Sequence, residues 1–379
     1  MIERAGPAGP IDFREATALE LETWDERTVR PAGGHVLQSR GWADYRARAG
    51  WQARFLIGSD GSAALALVKA WPLVGGASAY VSRGPIPGDP AVLLADRLDG
   101  VARWLFAHDV DVVAADPQVR ADTGFATALA ARGFRPIEEI QPSRHRLAVV
   151  LGPGADEETA LRNVSKQTRQ RIRQSESDSV EVILHDATIE ADAVGAGFVP
   201  PGRPIEAALG EFYDLLIATA ERRGFEVLSR ARFLDWTTTA FSAGQLLYLE
   251  AREPGPGPSL AGLIVYRHGD RLSTFLSGDR DDARDRHPGA FHLLRWRAIQ
   301  LAIREGRAEM DLDGADLPGA RRIPGPGDAA YGLYQHKRSF GAEWVELVGA
   351  HERVARPARY AFGRLAAAAT RRLGRGHGR

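Results

Sequence analysis

The segment LYQHKRSFG, residues 333–341, places a lysine in a chain that almost never uses one. Of its 49 basic residues only Lys69, Lys166 and Lys337 are lysines. An ammonium is a compact point charge whose pKa moves readily on burial, whereas a guanidinium is a planar fork that stays charged. Beside a carbonyl under nucleophilic attack such a cation stabilises the developing oxyanion, and losing one donor of that kind costs about 3 kcal/mol. Lys337 is therefore the candidate catalytic residue, with an exposed helix lysine as the alternative. A second concentration of charge lies at Arg162, Lys166, Arg169 and Arg173, spaced i, i+4, i+7 and i+11 within ADEETALRNVSKQTRQRIRQSES. That spacing predicts one stripe along one helix, either facing phosphates or simply solvated.

Other groups narrow the chemistry. Asp116 closes the apolar run VDVVAADP, at the open edge of a sheet where α/β proteins tend to bind ligands; the alternative is a cap for the next segment. Arg83 in SRGP either holds an anion or steadies its turn. His287 and His292 stand five apart at the start of a helix, a spacing unsuited to a shared metal, and neither a metal nor a cofactor is assigned. With no cysteine in the chain, disulfides, thiolate metal sites and thiol nucleophiles are excluded. No nucleophile elbow occurs. Neither half carries a clean Arg/Gln-x-x-Gly-x-Gly/Ala loop of the acetyl-CoA type, which speaks against acyl-CoA as a ligand.

The elements that would position these groups come in two similar rounds. Strand patterns WQARFLIG, SAALALVKAWPLV and SAYVS precede the helical pattern PAVLLADRLDGVARWLFAHD, the buried strand VDVVAADP, a helix ending near Gly133, and strands RPIEEI and HRLAVVL. The later half repeats this with QLLYLEAR, LAGLIVYRHG, RLSTFLSG, the helix AFHLLRWRAIQLAIREG, the strand RAEMDLDG, the Lys337 segment and the strand EWVELVG. Alternation at period 2 and recurrence at three to four residues justify these assignments. The expectation is an α/β chain of two tandem GNAT-like (N-acyltransferase-like) domains. Residues 1–150 form the first, with a C-terminal helix over 350–379 returning to it, and residues 151–349 form the second.

A formal net charge of zero, with 26% charged residues, excludes a uniformly basic nucleic-acid binder and an acidic disordered chain. Any anionic partner must meet a local patch. The N-terminus lacks an apolar signal core, and no run of 18 apolar residues occurs, so a cytoplasmic protein is expected. The segment RVARPARYAFGRLAAAATRRLGRGHGR holds eight arginines and no acid. It reads as a solubilising tail or as a peripheral contact with anionic lipid, worth about 1 kcal/mol per basic residue near the surface.

Taken in order, VLQSRGWADYRARAGW, AYVSRGPI, VAADPQV, IQPSRHRLAVVL, KQTRQRIRQ, LLRWRAIQLAIREGRAEMDLDG and LYQHKRSFGAEWVELVG resemble the Fem (FemABX) family over roughly residues 35–365. These are aminoacyltransferases that build peptidoglycan cross-bridges from aminoacyl-tRNA. The resemblance implies transfer of an amino acid from charged tRNA to a stem-peptide amine of a lipid-linked or UDP-linked muramyl-pentapeptide precursor. It makes Lys337 the signature lysine, and Arg40, Trp42 and Arg230 candidate contacts of the precursor, the arginines at its diphosphate. Asp116 would then meet the pentapeptide, and the basic stripe would meet tRNA. This sequence departs from the family at His336, which stands for the usual aromatic, and at Phe233 and Phe275, where members often carry tyrosine. It leaves no room for a coiled-coil arm. The alternatives are an acyl-CoA-dependent N-acyltransferase of the same fold and a precursor-binding protein without activity.

Overall fold

A computed structural model describes residues 10–72, 75–86, 91–190, 193–255, 257–317 and 319–375. The chain divides into two compact units, Met1–Arg144 with Glu346–Arg379, and His145–Val345. Among the described residues each holds one seven-stranded mixed sheet.

The first unit contains β1 (Phe13–Glu15), α1 (Ala18–Glu22), α2 (Trp24–Thr28), α3 (Arg40–Ala47), β2 (Gln52–Gly58), β3 (Ala63–Ala70), β4 (Ala77–Val81), α4 (Ala91–Ala107), β5 (Val110–Ala115), α5 (Phe125–Ala131) and β6 (Arg135–Pro136). From the chain's end it adds β14 (His351–Val354) and α13 (Pro357–Arg375). Strand β3 shows why the sheet is covered on both sides. Leu65 and Leu67 pack with Trp24 and Ala43 of α2 and α3, while Ala64, Ala66 and Val68 pack with Leu94 and Leu98 of α4. Successive side chains of a strand point to opposite faces, so a run apolar at every position needs a layer above and below. The strand expected from RPIEEI shrinks to two residues, and Gly133 has the left-handed φ of 79° that ends α5.

The second unit contains β7 (Arg146–Val150), α6 (Glu157–Asn163), α7 (Lys166–Ser177), β8 (Glu181–His185), α8 (Ile205–Arg223), α9 (Arg230–Ser242), β9 (Leu246–Arg252), β10 (Ser259–His268), β11 (Arg271–Asp279), α10 (Asp281–Arg286), α11 (Ala290–Arg304), β12 (Glu309–Asp311), α12 (Tyr331–Arg338) and β13 (Glu343–Val345). Leu294, Ala298 and Leu301 of α11 share a core with Leu247, Leu249, Leu263 and Val265 of the sheet. On the other face a Cβ at Gly262 would lie 2.5 Å from the Phe212 ring of α8, so the missing side chain admits that helix. Helices α8 and α9 pack on each other and on the sheet.

The strand orders are β1-β2-β3-β4-β5-β14-β6 and, read from its far edge, β8-β9-β10-β11-β12-β7-β13. The two rounds of the sequence therefore produce the same sheet twice, with one exchange. Strand β7, expected to close the first domain at residue 150, pairs antiparallel with β12 and β13 in the second sheet. Strand β14, expected to begin the terminal helix, pairs with β5 and β6 in the first. The terminal helix starts only at Pro357, and residues 376–379 lie outside the described residues.

Candidate functional site

Strands β11 and β12 run parallel only from Arg271 to Ser273 and from Glu309 to Asp311. Strand β11 continues to Asp279 with β10 as its partner, through an irregularity at Phe275, since Leu276 faces Ile264 while Thr274 faces Val265. A cavity of about 380 Å³ is walled by the far end of β11 (Ser277, Gly278), by α8 (Arg223), by α11 (His292, Arg295) and by α12 (His336). Gly289 seats the start of α11 here. A Cβ on it would collide with the Arg171 carbonyl oxygen, so only glycine lets α7 and α11 approach this closely.

Lys337 lies in the last turn of α12 and is 3% exposed. Its Nζ donates to the Gly314 carbonyl just beyond β12, at 2.7 Å. Burial pushes its pKa from 10.5 down to about 8; Arg295 and Arg223 act in the same direction, and Asp313 and Asp311 oppose them. The reading of an exposed helix lysine is thereby excluded. Its neighbour His336 accepts a hydrogen bond at Nε2 from Arg295 Nε, at 3.1 Å. Burial, with Arg295 adding to it, holds this imidazole neutral down to a pKa of about 2, and His292, 4.7 Å away ring to ring, is lowered to about 4, mainly by burial. The proton of neutral His336 therefore sits on Nδ1.

The basic stripe is not one helix. Ser165 interrupts it, its hydroxyl accepting from Thr168 N and capping α7, because a serine side chain competes for backbone donors that a continuous helix would use. Arg162 stands on α6 in an ion pair with Glu158 at 3.1 Å. The Arg169 guanidinium turns back to the carbonyls of Leu161, Arg162 and Val164 at the end of α6, which satisfies orphan acceptors there. Lys166 and Arg173 remain exposed, on the wall of a shallow groove along α7. The same helix is tied to α12: Ser165 N donates to the Ser339 carbonyl, and Thr168 Oγ1 to Ser339 Oγ.

Of the remaining candidates, Arg83 and Asp116 meet in the first unit. Asp116 accepts from Arg83 N and from the Tyr80 hydroxyl, both at 2.8 Å, and ion-pairs with Arg83 at 3.5 Å. Burial raises the Asp116 pKa, and Arg83 opposes the shift. Arg83 has φ 52°, a strained backbone that this carboxylate holds. Arg40 is exposed and donates to the Leu21 carbonyl, while half-buried Trp42 packs against Tyr45 and under Arg46. In the second unit Arg230 pairs with Asp214 at 2.5 Å. Phe233 is buried in an aromatic cluster with Phe212 and Tyr213, and Phe275 stacks on Tyr266 at 4.4 Å. Arg230, Phe233 and Phe275 are absent from the cavity wall.

Arg295 is the site residue that the sequence did not single out, although the arginine-tryptophan pair at 295–296 mirrors the one at 103–104. It is 1% exposed, on a helix face that it shares with His292 and with apolar Phe291, Ala298, Ile299 and Ala302. Among the described residues, no three His, Cys, Asp or Glu side chains converge where a metal ion could be held, and no helix is long and apolar enough to cross a membrane.

The two successive sheets, each a meander completed by parallel strands and helices, define a tandem GNAT-like fold. No family model matches the chain, and no curated protein does. Solved structures match in fold. FemX superposes with a TM-score of 0.73 at 16% identity, over 93% of this chain and 99% of its own. L-PGS from Bacillus licheniformis gives 0.53 at 12% identity, over 96% and 98%. A conserved protein of unknown function from Bacteroides thetaiotaomicron gives 0.52 at 12% identity, over 90% and 98%. The chain thus has the fold of FemX along most of its length, as its resemblance to the Fem family implied.

Proposed function

We propose that the chain is a Fem-type aminoacyltransferase that moves an amino acid from charged tRNA to the stem-peptide amine of a muramyl-pentapeptide precursor. The observation that carries this reading is Lys337, a buried ammonium anchored to Gly314 and next in the chain to His336, which lines the cavity with Arg295 while Lys337 itself does not. In the reaction the neutral acceptor amine attacks the ester carbonyl. The amide C–N bond forms, the ester C–O bond breaks, and the proton lost by the amine ends on the departing ribose oxygen. Lys337 supplies positive charge while the tetrahedral oxyanion exists. One of its three N–H groups is spent on Gly314, which fixes its direction, and two remain to donate. Lys166 and Arg173 contact tRNA phosphates from α7, whose start is clamped to the residue that follows the catalytic turn.

In the first unit Arg40, Trp42, Arg83 and Asp116, and in the second unit Arg230, Phe233 and Phe275, are the positions proposed to serve the precursor, the arginines through its diphosphate. For Asp116 and Phe233, already saturated by their own neighbours, that role is support of the site from within. The test is incubation of the purified chain with total charged tRNA and either lipid-linked or UDP-linked precursor, followed by the mass of the product. A product heavier by one aminoacyl residue, lost in Lys337→Met, is the expected result. Turnover of a CoA thioester instead, or precursor binding with no turnover, would displace the reading.

A further inference from the structure

Arg295 is a buried charge that the fold leaves unfinished. Its Nε is used by His336 and its guanidinium stands 5.1 Å over the Phe291 ring, but its Nη1 has no hydrogen-bond partner. A buried guanidinium with an open donor is costly to the fold unless something accepts from it. Three other charged groups of the cavity wall are matched by their own neighbours. Arg280 is bidentate on Asp282 at 2.9 and 2.8 Å, His287 meets Glu253 at 2.7 Å, and Asp279 is held by Arg222 at 2.6 Å. Asp313 and Arg223 act on Arg295 through space, in opposite senses. The amino end of the 15-residue helix α11 borders the same cavity and adds the positive end of its dipole.

The rest of the wall includes Leu260, Ala261, Ala290 and Leu333, so the space suits an anion borne on a short aliphatic stem. The Arg295 and His336 pair brings one positive charge, since His336 stays neutral, and one open fork arm. That matches a monoanionic carboxylate better than a phosphate dianion, which calls for more donors.

We propose that this cavity binds a carboxylate carried on a short aliphatic chain, with Arg295 as the residue that receives it. The cavity is assigned to the aminoacyl donor rather than to the peptide acceptor with its own terminal carboxylate; in an aminoacyl ester the α-carboxyl is consumed by the ester bond, so the donor's carboxylate belongs to the side chain. Resting on the function proposed above, the transferred residue is then an acidic amino acid, and Arg295 determines that specificity.

The test is calorimetric binding to the full chain of three probes: glutamate α-methyl ester, the near-isosteric glutamine methyl ester, and inorganic phosphate. The expected result is at least tenfold tighter binding of the glutamate ester than of the glutamine ester, with no displacement by phosphate. Arg295→Met should erase the preference while raising the melting temperature, because it removes a buried charge whose Nη1 has no acceptor. Should that variant fail to fold, Arg295→Lys, which retains charge but lacks the fork, must still weaken the preference. Equal affinity for the two esters, a preference that survives in the variants, or displacement of the glutamate ester by phosphate would overturn the proposal. Transfer of a neutral residue from tRNA together with equal ester affinities sinks the cavity assignment and leaves the transferase. The ester preference without transfer from any charged tRNA upholds the cavity and removes the transferase.

Discussion

Lys337 unites two demands in one side chain, since burial makes its positive charge expensive and a transition state would make it useful. In single-turnover transfer from charged tRNA, Lys337→Met should slow the chemical step by a factor on the order of 100 to 1,000, with precursor affinity unchanged. Lys337→Arg should recover little, because a fork beneath the Gly314 carbonyl displaces the reacting carbonyl from its alignment. The proposed role requires the ammonium form, so the rate should fall as pH rises through about 8. Stability moves the other way: between about pH 8 and 10.5 the unfolded chain still holds a proton that the folded chain has released, so stability should rise across that window and Lys337→Met should abolish the rise. His336 shapes the acid side. As pH falls below 6.5 the unfolded chain takes up a proton that folded His336 refuses until about pH 2, so stability should drop by up to about 1.4 kcal/mol per pH unit. Urea melts at stepped pH should show that slope, and His336→Phe should remove its share, leaving the contribution of His292 down to about pH 4. Lys337 is legible in the sequence because lysine is scarce here; Arg295 is not, because it is one arginine among many and its meaning lies in an empty donor that composition does not record.

Helices α6 and α7 show where periodicity misleads. Apolar and basic positions recur without a break from residue 157 to 177, yet the cap at Ser165 makes two helices and turns Arg169 from a candidate phosphate ligand into the clasp between them. Double reversal of Lys166 and Arg173 to glutamate should weaken tRNA binding and reduce the slope of affinity against salt by about 1 for each phosphate no longer neutralised. Arg169→Ala should instead lower the melting temperature and barely change that slope. The same distinction applies to the C-terminal arginines. Arg353 pairs with Asp99, and Arg356 and Arg359 with Asp109 and Asp111, so these three serve the first unit and have little charge to offer a membrane. Among the described side chains of α13, Phe362 and Leu365, 64% and 69% exposed, stand beside exposed Arg364 as the ones open to a membrane. Serine at both positions should abolish sedimentation with anionic liposomes, and equal sedimentation of the native chain and the variant would dismiss the idea.

At the scale of the molecule, the duplication could be read from the order of the strand and helix patterns, because each round repeats the same local periodicities. The exchange of β7 and β14 could not. Both are short alternating strands, and nothing in four or five residues says which of two similar sheets will accept them; that choice is made by pairings far apart in sequence, with β12 and β13 for one and β5 and β6 for the other. A fragment of residues 145–345 holds a complete sheet and should fold alone, shown by a cooperative melt. Residues 1–150 and 151–349, the halves suggested by sequence, should each fail, the first lacking β14 and the second β7. On the ribosome the exchange inverts the order of completion. The half that is translated first is finished last, because the free edge of β5 waits for residues 351–354 to emerge, about 10–40 s at roughly 5–20 residues per second. Through that interval the nascent chain displays an open strand edge beside a neighbour that is already complete, so any stall in translation short of His351 strands a sound second half on an unfinished first.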